Sequence, residues 1–422
     1  MRTSDKCVVS RTADDLSILE IGTKPNCFDL STTRVSCADM SISNRLSTAI
    51  LGVLCAAIGA CEPLADDMDD FDRQEVPVFE RSSIVAPTNA APTELKVRAW
   101  TIKYGAGRID FWFDYWGDRT EMSSGEVELN MDNIYKLLNE YNPDILMTED
   151  IEVNSRRSAY YDMVAGILEN TRLNYAAYFQ TWNSRYVPSE GVGRIDLGNA
   201  IFSKYPISFA ERIRQIDRTD QDAVTKTFYI HRMIGRAVIE AGNNRSVTAF
   251  VVHTEAYDQD GTKGKQLQQI YDEVKKEKRP FVLGGDFNEL PPTAIKLVDF
   301  PDEVAPEGSD FEQPPYTPQV MQKFYDDFVP YITLQRYGKT EDEQQNFFTH
   351  SVAGPGHVDA AGKPQFWNRT LDYLFVTKAD AWKDGTTDVL QTDGRLGIKS
   401  NPLWLSDHAP VVGTWVLGGG AP

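Results

Sequence analysis

One run, Phe281-Val-Leu-Gly-Gly-Asp-Phe-Asn288, narrows the fold of this chain more than any other. Its first three residues form a short apolar stretch after a charged, helix-like segment and read as a buried strand. Gly284 and Gly285 end that strand and let the backbone come close to something else. Asp286 and Asn288 stand at i and i+2, so an extended backbone points both side chains the same way. A carboxylate and a carboxamide at the end of a buried strand suit water activation, or the holding of a phosphate or a hard cation. Gly, Asp and Asn are also common at strand-to-turn junctions for backbone reasons, so this stretch alone leaves both readings open.

The same arrangement recurs along the chain. Residues 95–102 alternate as a strand, and residues 143–150 form a second that ends in two acids, Glu149 and Asp150. Residues 198–203, 233–239, 246–253, 371–376 and 409–416 read as further strands. Helical spacing covers residues 126–141, 156–170 and 264–278. Residues 300–350 are Pro-rich and acidic and read as an insertion over one end of the fold. Strands outnumber helices, and two helices fall between early strands. That pattern predicts an α/β sandwich, with packed β-sheets flanked by helices.

Polar residues gather where strands end: Asp150, His253, the Asp286/Asn288 pair, Asp372, and Asp407-His408 just before the last strand. Each alone is an ordinary turn residue or hydrogen-bonding histidine. Together they supply hard oxygen ligands, two imidazoles and a carboxylate able to orient one of them. Those are the parts of metal-assisted phosphate ester hydrolysis.

The N-terminal part is organised differently. Residues 1–39 have no core pattern and read as a non-structural extension ahead of Met40. Arg45, an apolar run over residues 46–60 and the small residues before Cys61 have the form of a secretory leader at 40–61, too short to span a membrane comfortably. Residues 62–94 are acidic, then rich in Pro, Thr and Ala, and read as a flexible tether to a body at 95–417. All five cysteines lie at or before position 61, so the body has no thiolate chemistry. The net charge is −19, and residues 1–61 contribute none of it, with six Lys/Arg against six Asp/Glu. Such an acidic body is a poor partner for extended nucleic acid. The aromatic run at 111–116 falls in a loop, where packing on the 300–350 insertion, base stacking and membrane contact are all open.

Gly284-Gly-Asp-Phe-Asn288, Leu371-Asp-Tyr-Leu-Phe375 and Ser406-Asp-His-Ala-Pro410, in this order, resemble the endonuclease/exonuclease/phosphatase superfamily, with its DNase-I-like sandwich of two mixed sheets. The resemblance spans roughly residues 95–417. It implies a metal-dependent phosphoesterase, nuclease-like and acting on diesters. Phosphatase or sphingomyelinase-like action on lipid or small-molecule phosphates is the alternative. It assigns Asp286 to the attacking water, Asn288 to a phosphate oxygen, His408 to the scissile phosphate with Asp372 orienting it, and His253 to a second imidazole. It makes Asn199 a substrate-side amide, and Asp150 and Asp407 ligands of a divalent ion, Mg²⁺ or else Mn²⁺. Two positions depart from the pattern: Thr101 stands where the family has Asn, and Glu149-Asp150 where it has Gln-Glu. A weakened metal end would leave a non-catalytic binding protein instead. Ile58-Gly-Ala-Cys61 resembles the lipobox of bacterial lipoproteins, which implies a lipid anchor at Cys61 and an extracytoplasmic, membrane-anchored location. The expected partners are a phosphate-ester substrate and that membrane, with the chain a monomer.

Overall fold

Apolar residues recur at every second position along the central strands, which gives each of two sheets one face to bury against the other. The structure is a computed structural model. It describes residues 68, 70–111, 117–222, 225–226, 228–256, 260–297, 300, 318–351, 354 and 367–419. The extension at 1–39, the leader with Cys61, the aromatic positions 112–116 and positions 301–317 lie outside the described residues.

In chain order the strands are β1 (Arg73–Glu75), β2 (Val78–Glu80), β3 (Glu94–Thr101), β4 (Ile145–Glu152), β5 (Tyr175–Val187), β6 (Gly193–Ser203), β7 (Ile207–Arg214) and β8 (Met233–Glu240). They continue with β9 (Ser246–His253), β10 (Phe281–Asp286), β11 (Val329–Pro330), β12 (Asp372–Val376), β13 (Ala381–Trp382), β14 (Asp388–Val389) and β15 (Val411–Val416). One sheet runs β1-β7-β8-β9-β10-β12-β11. The other runs β13-β15-β3-β4-β6-β5-β2, with β14 against β15. Both mix parallel and antiparallel pairs, and the expected α/β sandwich is the fold that forms.

Val97 and Ala99 on β3, Met147 on β4 and Ile201 on β6 meet Ala249 and Val251 on β9, Val282 on β10 and Leu374 on β12 between the sheets. The helices Ser124–Tyr141 and Met163–Asn170 cover the outer face of one sheet, over Trp100, Leu146 and Phe202. The helix Thr262–Lys276 covers the other, over Phe250, Leu283 and Phe287. Ser123 and Glu126 close a capping box at the start of the first helix, and Asn142 ends it in the left-handed conformation.

The helix expected over 156–170 begins only at Met163, and two further segments differ from expectation. Residues 73–80 are not a tether: β1 pairs with β7, β2 pairs with β5, and Val76 between them is buried. Their polar residues meet complementary groups. Arg73 reaches Glu211 at 3.0 Å and Glu273 at 2.8 Å, and Gln74 Oε1 accepts from Arg212 Nε at 2.8 Å. The folded body therefore begins ahead of residue 95. The later half of the expected insertion also belongs to it, because β11 extends the sheet beside β12.

The inner faces explain where a site forms. Running towards one end of the sandwich, β3 changes from Val97 and Ala99 to Thr101, and β4 from Ile145 and Met147 to Glu149. By the same alternation β9 leads from Ala249 and Val251 to His253, and β10 from Val282 through Gly284 to Asp286. On the antiparallel strands Asn199 stands before Ile201 and Asp372 before Leu374. The core becomes polar at the same end of every one of these strands.

Candidate active site

Asp286 is in register with His253 on one side and Asp372 on the other, so three functional side chains form a row across β9, β10 and β12. His408 joins from the loop before β15. Its Nδ1 lies 2.8 Å from Asp372 Oδ2, and its Nε2 lies 3.7 Å from Asp286 Oδ2. His253 Nε2 lies 3.4 Å from the same Asp286 oxygen, and its Nδ1 lies 3.3 Å from Asp150 Oδ1. Asp150, His253, Asp286, His408 and Asp372 thus make a line of alternating acids and imidazoles. Backbone contacts hold it: Trp100 Nε1 donates to the His408 carbonyl at 2.9 Å, and Ser406 Oγ donates to the Thr101 carbonyl at 2.7 Å.

Local backbone geometry aims these groups. Asp286 Oδ1 accepts the Asn288 N–H at 2.8 Å, which leaves Oδ2 to the imidazoles. Asn288 has φ 46°, a conformation Asn tolerates, and its Nδ2 donates to the Thr254 carbonyl at 3.0 Å. A bulge interrupts the β4–β6 pairing between Thr148 and Ile151, and Asp150 has φ 53°. Successive strand residues normally point to opposite faces. The bulge lets Glu149 face inward while Asp150 still meets His253 of the other sheet.

Burial would discharge the His408 imidazolium, but Asp372 and Asp286 outweigh it and hold its pKa up to about 10. Burial raises the Asp372 carboxyl, partly offset by His408. Burial also pushes Glu149 well above the carboxylate range, and Asp372 and Asp286 add to the shift. Asp407 is buried too, yet Lys103 at 3.5 Å and His408 bring it down to about 2. Burial pushes His350 well below the usual imidazole value, and His408 and Arg369 act in the same direction.

The two acids expected to share an ion have different partners: Asp150 lies against His253, and Asp407 against Lys103 beside His408. Glu149 is the acid that faces the row. Thr101 Oγ1 donates to its Oε2 at 3.2 Å, while its Oε1 is buried without a hydrogen bond among the described residues. A Cβ added to Gly285 would lie 2.8 Å from that oxygen, so the glycine leaves Glu149 its place. Glu149, Asp286 and Asn288 supply the oxygen donors that a hard divalent cation takes, and the orphaned Oε1 fits one. Asn199 lies on the same inner face, and its Nδ2 is buried without a hydrogen bond among the described residues.

The sequence reading missed His350. It forms bridges with His408 and Arg369, and its ring lies 4.3 Å from that of His408. Its neighbour Thr349 accepts the Leu371 N–H at 2.9 Å and the Asp372 N–H at 3.1 Å through Oγ1. The one available signal was the polar Thr349-His350 pair closing the apolar Phe347-Phe348.

The sequence profile of the Endonuclease/Exonuclease/phosphatase family matches residues 116–408, more than half of the chain. The chain belongs to that family. As a family member it is a metal-dependent hydrolase of phosphate esters. Among curated proteins none matches the sequence. Solved structures are similar to this chain at low identity. An endonuclease/exonuclease/phosphatase from Beutenbergia cavernae is 16% identical over 78% of this chain and 72% of its own, with a TM-score of 0.49. A mannosyl-6-phosphatase from Bacteroides thetaiotaomicron is 14% identical over 76% of this chain and 99% of its own, with a TM-score of 0.42. TDP2 from D. rerio, solved with a single-stranded DNA product, is 11% identical over 77% and 99%, with a TM-score of 0.44.

Proposed function

We propose that this family member is an extracytoplasmic phosphodiesterase that attacks its ester with an activated water. The observation that carries the reading is His408, held by Asp372 through Nδ1 with Nε2 turned towards Asp286. A carboxylate on one ring nitrogen fixes the orientation and stabilises the imidazolium, as in other acid–imidazole pairs. His408 then donates from Nε2 to the leaving ester oxygen, whose bond to phosphorus breaks as the bond to the water oxygen forms. Asp286 Oδ2 orients the attacking water and takes up its proton, and His253 at 3.4 Å steadies the charge that develops. Glu149, Asp286 and Asn288 would hold the divalent ion, Mg²⁺ on the chemistry of an all-oxygen set. Bound there, it offsets negative charge on the phosphate.

The acids favour a diester. Asp150, Asp286 and Asp372 stand beside two imidazoles, and a singly charged diester meets less repulsion there than a dianionic monoester. The net charge of −19 favours small or short substrates over long nucleic acid. Residues 40–61, ending at Cys61, support export and a lipid anchor. The test is a panel of bis-p-nitrophenyl phosphate, p-nitrophenyl phosphate, a short oligonucleotide and sphingomyelin vesicles, each with Mg²⁺ and with EDTA. The diester should turn over faster than the monoester, with activity lost in EDTA and in His408→Ala. Inactivity towards the whole panel with both Mg²⁺ and Mn²⁺ would sink the proposal.

A further inference from the structure

Beside the oxygen-rich row lies a second group of donors with a different chemistry. His350, Asp407 and His408 bring two imidazoles and a carboxylate together, with their ligand atoms all within 4.8 Å of one another, and all three are buried. They come from separate segments, and the fold fixes their meeting. Ser351 N donates to the Asp407 carbonyl at 3.0 Å, and Ala409 N donates to the Thr349 carbonyl at 2.6 Å, so residues 349–351 run beside 407–409.

We propose that His350, Asp407 and His408 bind a borderline transition-metal dication such as Zn²⁺, at a site distinct from the oxygen set of Glu149, Asp286 and Asn288 and overlapping the catalytic centre at His408. Three features carry this. Imidazole nitrogens favour Zn²⁺ and its neighbours over Mg²⁺, whose ligands are oxygens. His408 already has the outer contact of a metal-bound histidine: Nδ1 meets the Asp372 carboxylate, which leaves Nε2 as the ligand atom. The span is close to what an ion needs. Two bonds of about 2.1 Å set an upper limit of about 4.2 Å between ligands. The 4.8 Å envelope therefore closes by side-chain movements of less than about 1 Å.

Positive charge opposes the ion. Lys103 Nζ is 3.5 Å from Asp407, and Arg108 and Arg369 also bear on the cluster. Affinity therefore falls below that of a closed structural zinc site, and Lys103 has to give up its contact with Asp407 when the ion binds. The ion takes His408 Nε2 only by displacing the proton that Asp372 and Asp286 hold there, which is released to solvent, so occupancy removes the proton donor from the phosphate. On the proposed function, Zn²⁺ then inhibits hydrolysis that Mg²⁺ supports. That consequence rests on the phosphodiesterase reading; the binding does not.

The test uses the full chain with its cysteines alkylated, since the five thiols would otherwise bind the probe. Co²⁺ is titrated while its visible absorption is followed. One ion per chain should give the intense bands of a low-coordinate site, undiminished by excess Mg²⁺. His350→Ala and His350→Gln should each weaken binding roughly 10–100-fold or more, while His231→Ala, at an imidazole paired with Asp217, should not change it. Circular dichroism melting identifies a variant that has lost its fold, and the gentler Gln variant decides in that case. Octahedral, weakly absorbing Co²⁺, displacement by Mg²⁺, or unchanged affinity in folded His350 variants would overturn the proposal. So would a cluster that takes up inorganic phosphate and no metal. If the chain hydrolyses nothing yet binds Co²⁺ in this way, the functional reading fails and the site stands.

Discussion

Glu149 has no exposed surface, and its Oε1 meets no donor among the described residues. Burial first, and then Asp372 and Asp286, keep it protonated well above the usual carboxylate range. A raised folded-state value means that the folded chain holds a proton the unfolded chain has released. The metal-free protein therefore loses stability as pH rises above about 4.3, the unfolded value, by up to about 1.4 kcal/mol per pH unit until the folded group ionises. Glu149→Gln keeps the shape without the proton. In EDTA it should melt at the same temperature as the parent at pH 4 and at a higher one at pH 8, yet bind Mg²⁺ more weakly by calorimetry. Equal melting temperatures across that range would show that Glu149 ionises freely. Asp372 acts on His408 through 2.8 Å. Asp372→Asn removes the charge that holds the imidazolium, so His408 falls from about 10 towards its ordinary value. Turnover should drop on the order of 10²–10⁴-fold, with the alkaline, falling limb of the pH–rate profile moved to lower pH. A parental profile would take His408 out of proton donation.

At the scale of elements, β10 is the member that tolerates least change. Gly285 has φ 134°, and a Cβ there would lie 2.0 Å from the Val252 carbonyl oxygen on the paired strand β9. That neighbour is backbone and cannot swing aside. Gly285→Ala should destabilise the protein by about 3 kcal/mol or more by chemical denaturation, and it should also misplace Glu149. Parental stability would show that β9 can move. The same strand was legible from sequence because its apolar run, glycine break and Asp-x-Asn end follow the two-residue repeat of a strand. Asp372 and His408 were legible for a similar reason, as polar residues abutting apolar strands. His350 was not, because its position depends on the pairing of residues 349–351 beside 407–409, a long-range contact that leaves no local period. β1 and β2 were hidden by composition. Acidic sequence reads as a tether until Arg212 and Glu211 are seen opposite Gln74 and Arg73.

Across the whole molecule, the edges and the net charge set how the sandwich meets its surroundings. β1 and β2 cover β7 and β5, whose backbone groups would otherwise stand open at a sheet edge. A chain starting at Arg81 should melt at a lower temperature and associate at high concentration by light scattering. An unchanged melt would mean that the two strands only decorate the edge. Charge acts at longer range. A chain carrying −19 repels a polyanion, and salt screens that repulsion over about 10 Å at 0.1 M. For a long single-stranded DNA, kcat/KM should therefore rise as NaCl goes from 20 to about 200 mM, by several-fold. For bis-p-nitrophenyl phosphate, with one charge, it should hardly change. Proteins that grip nucleic acid through Lys and Arg behave in the opposite way, because salt replaces their released counterions. A steep fall in kcat/KM with salt on DNA would mean that Lys103 and Arg108 near Asp407, with Arg369 near His350, outweigh the acidic chain and guide the strand into the site.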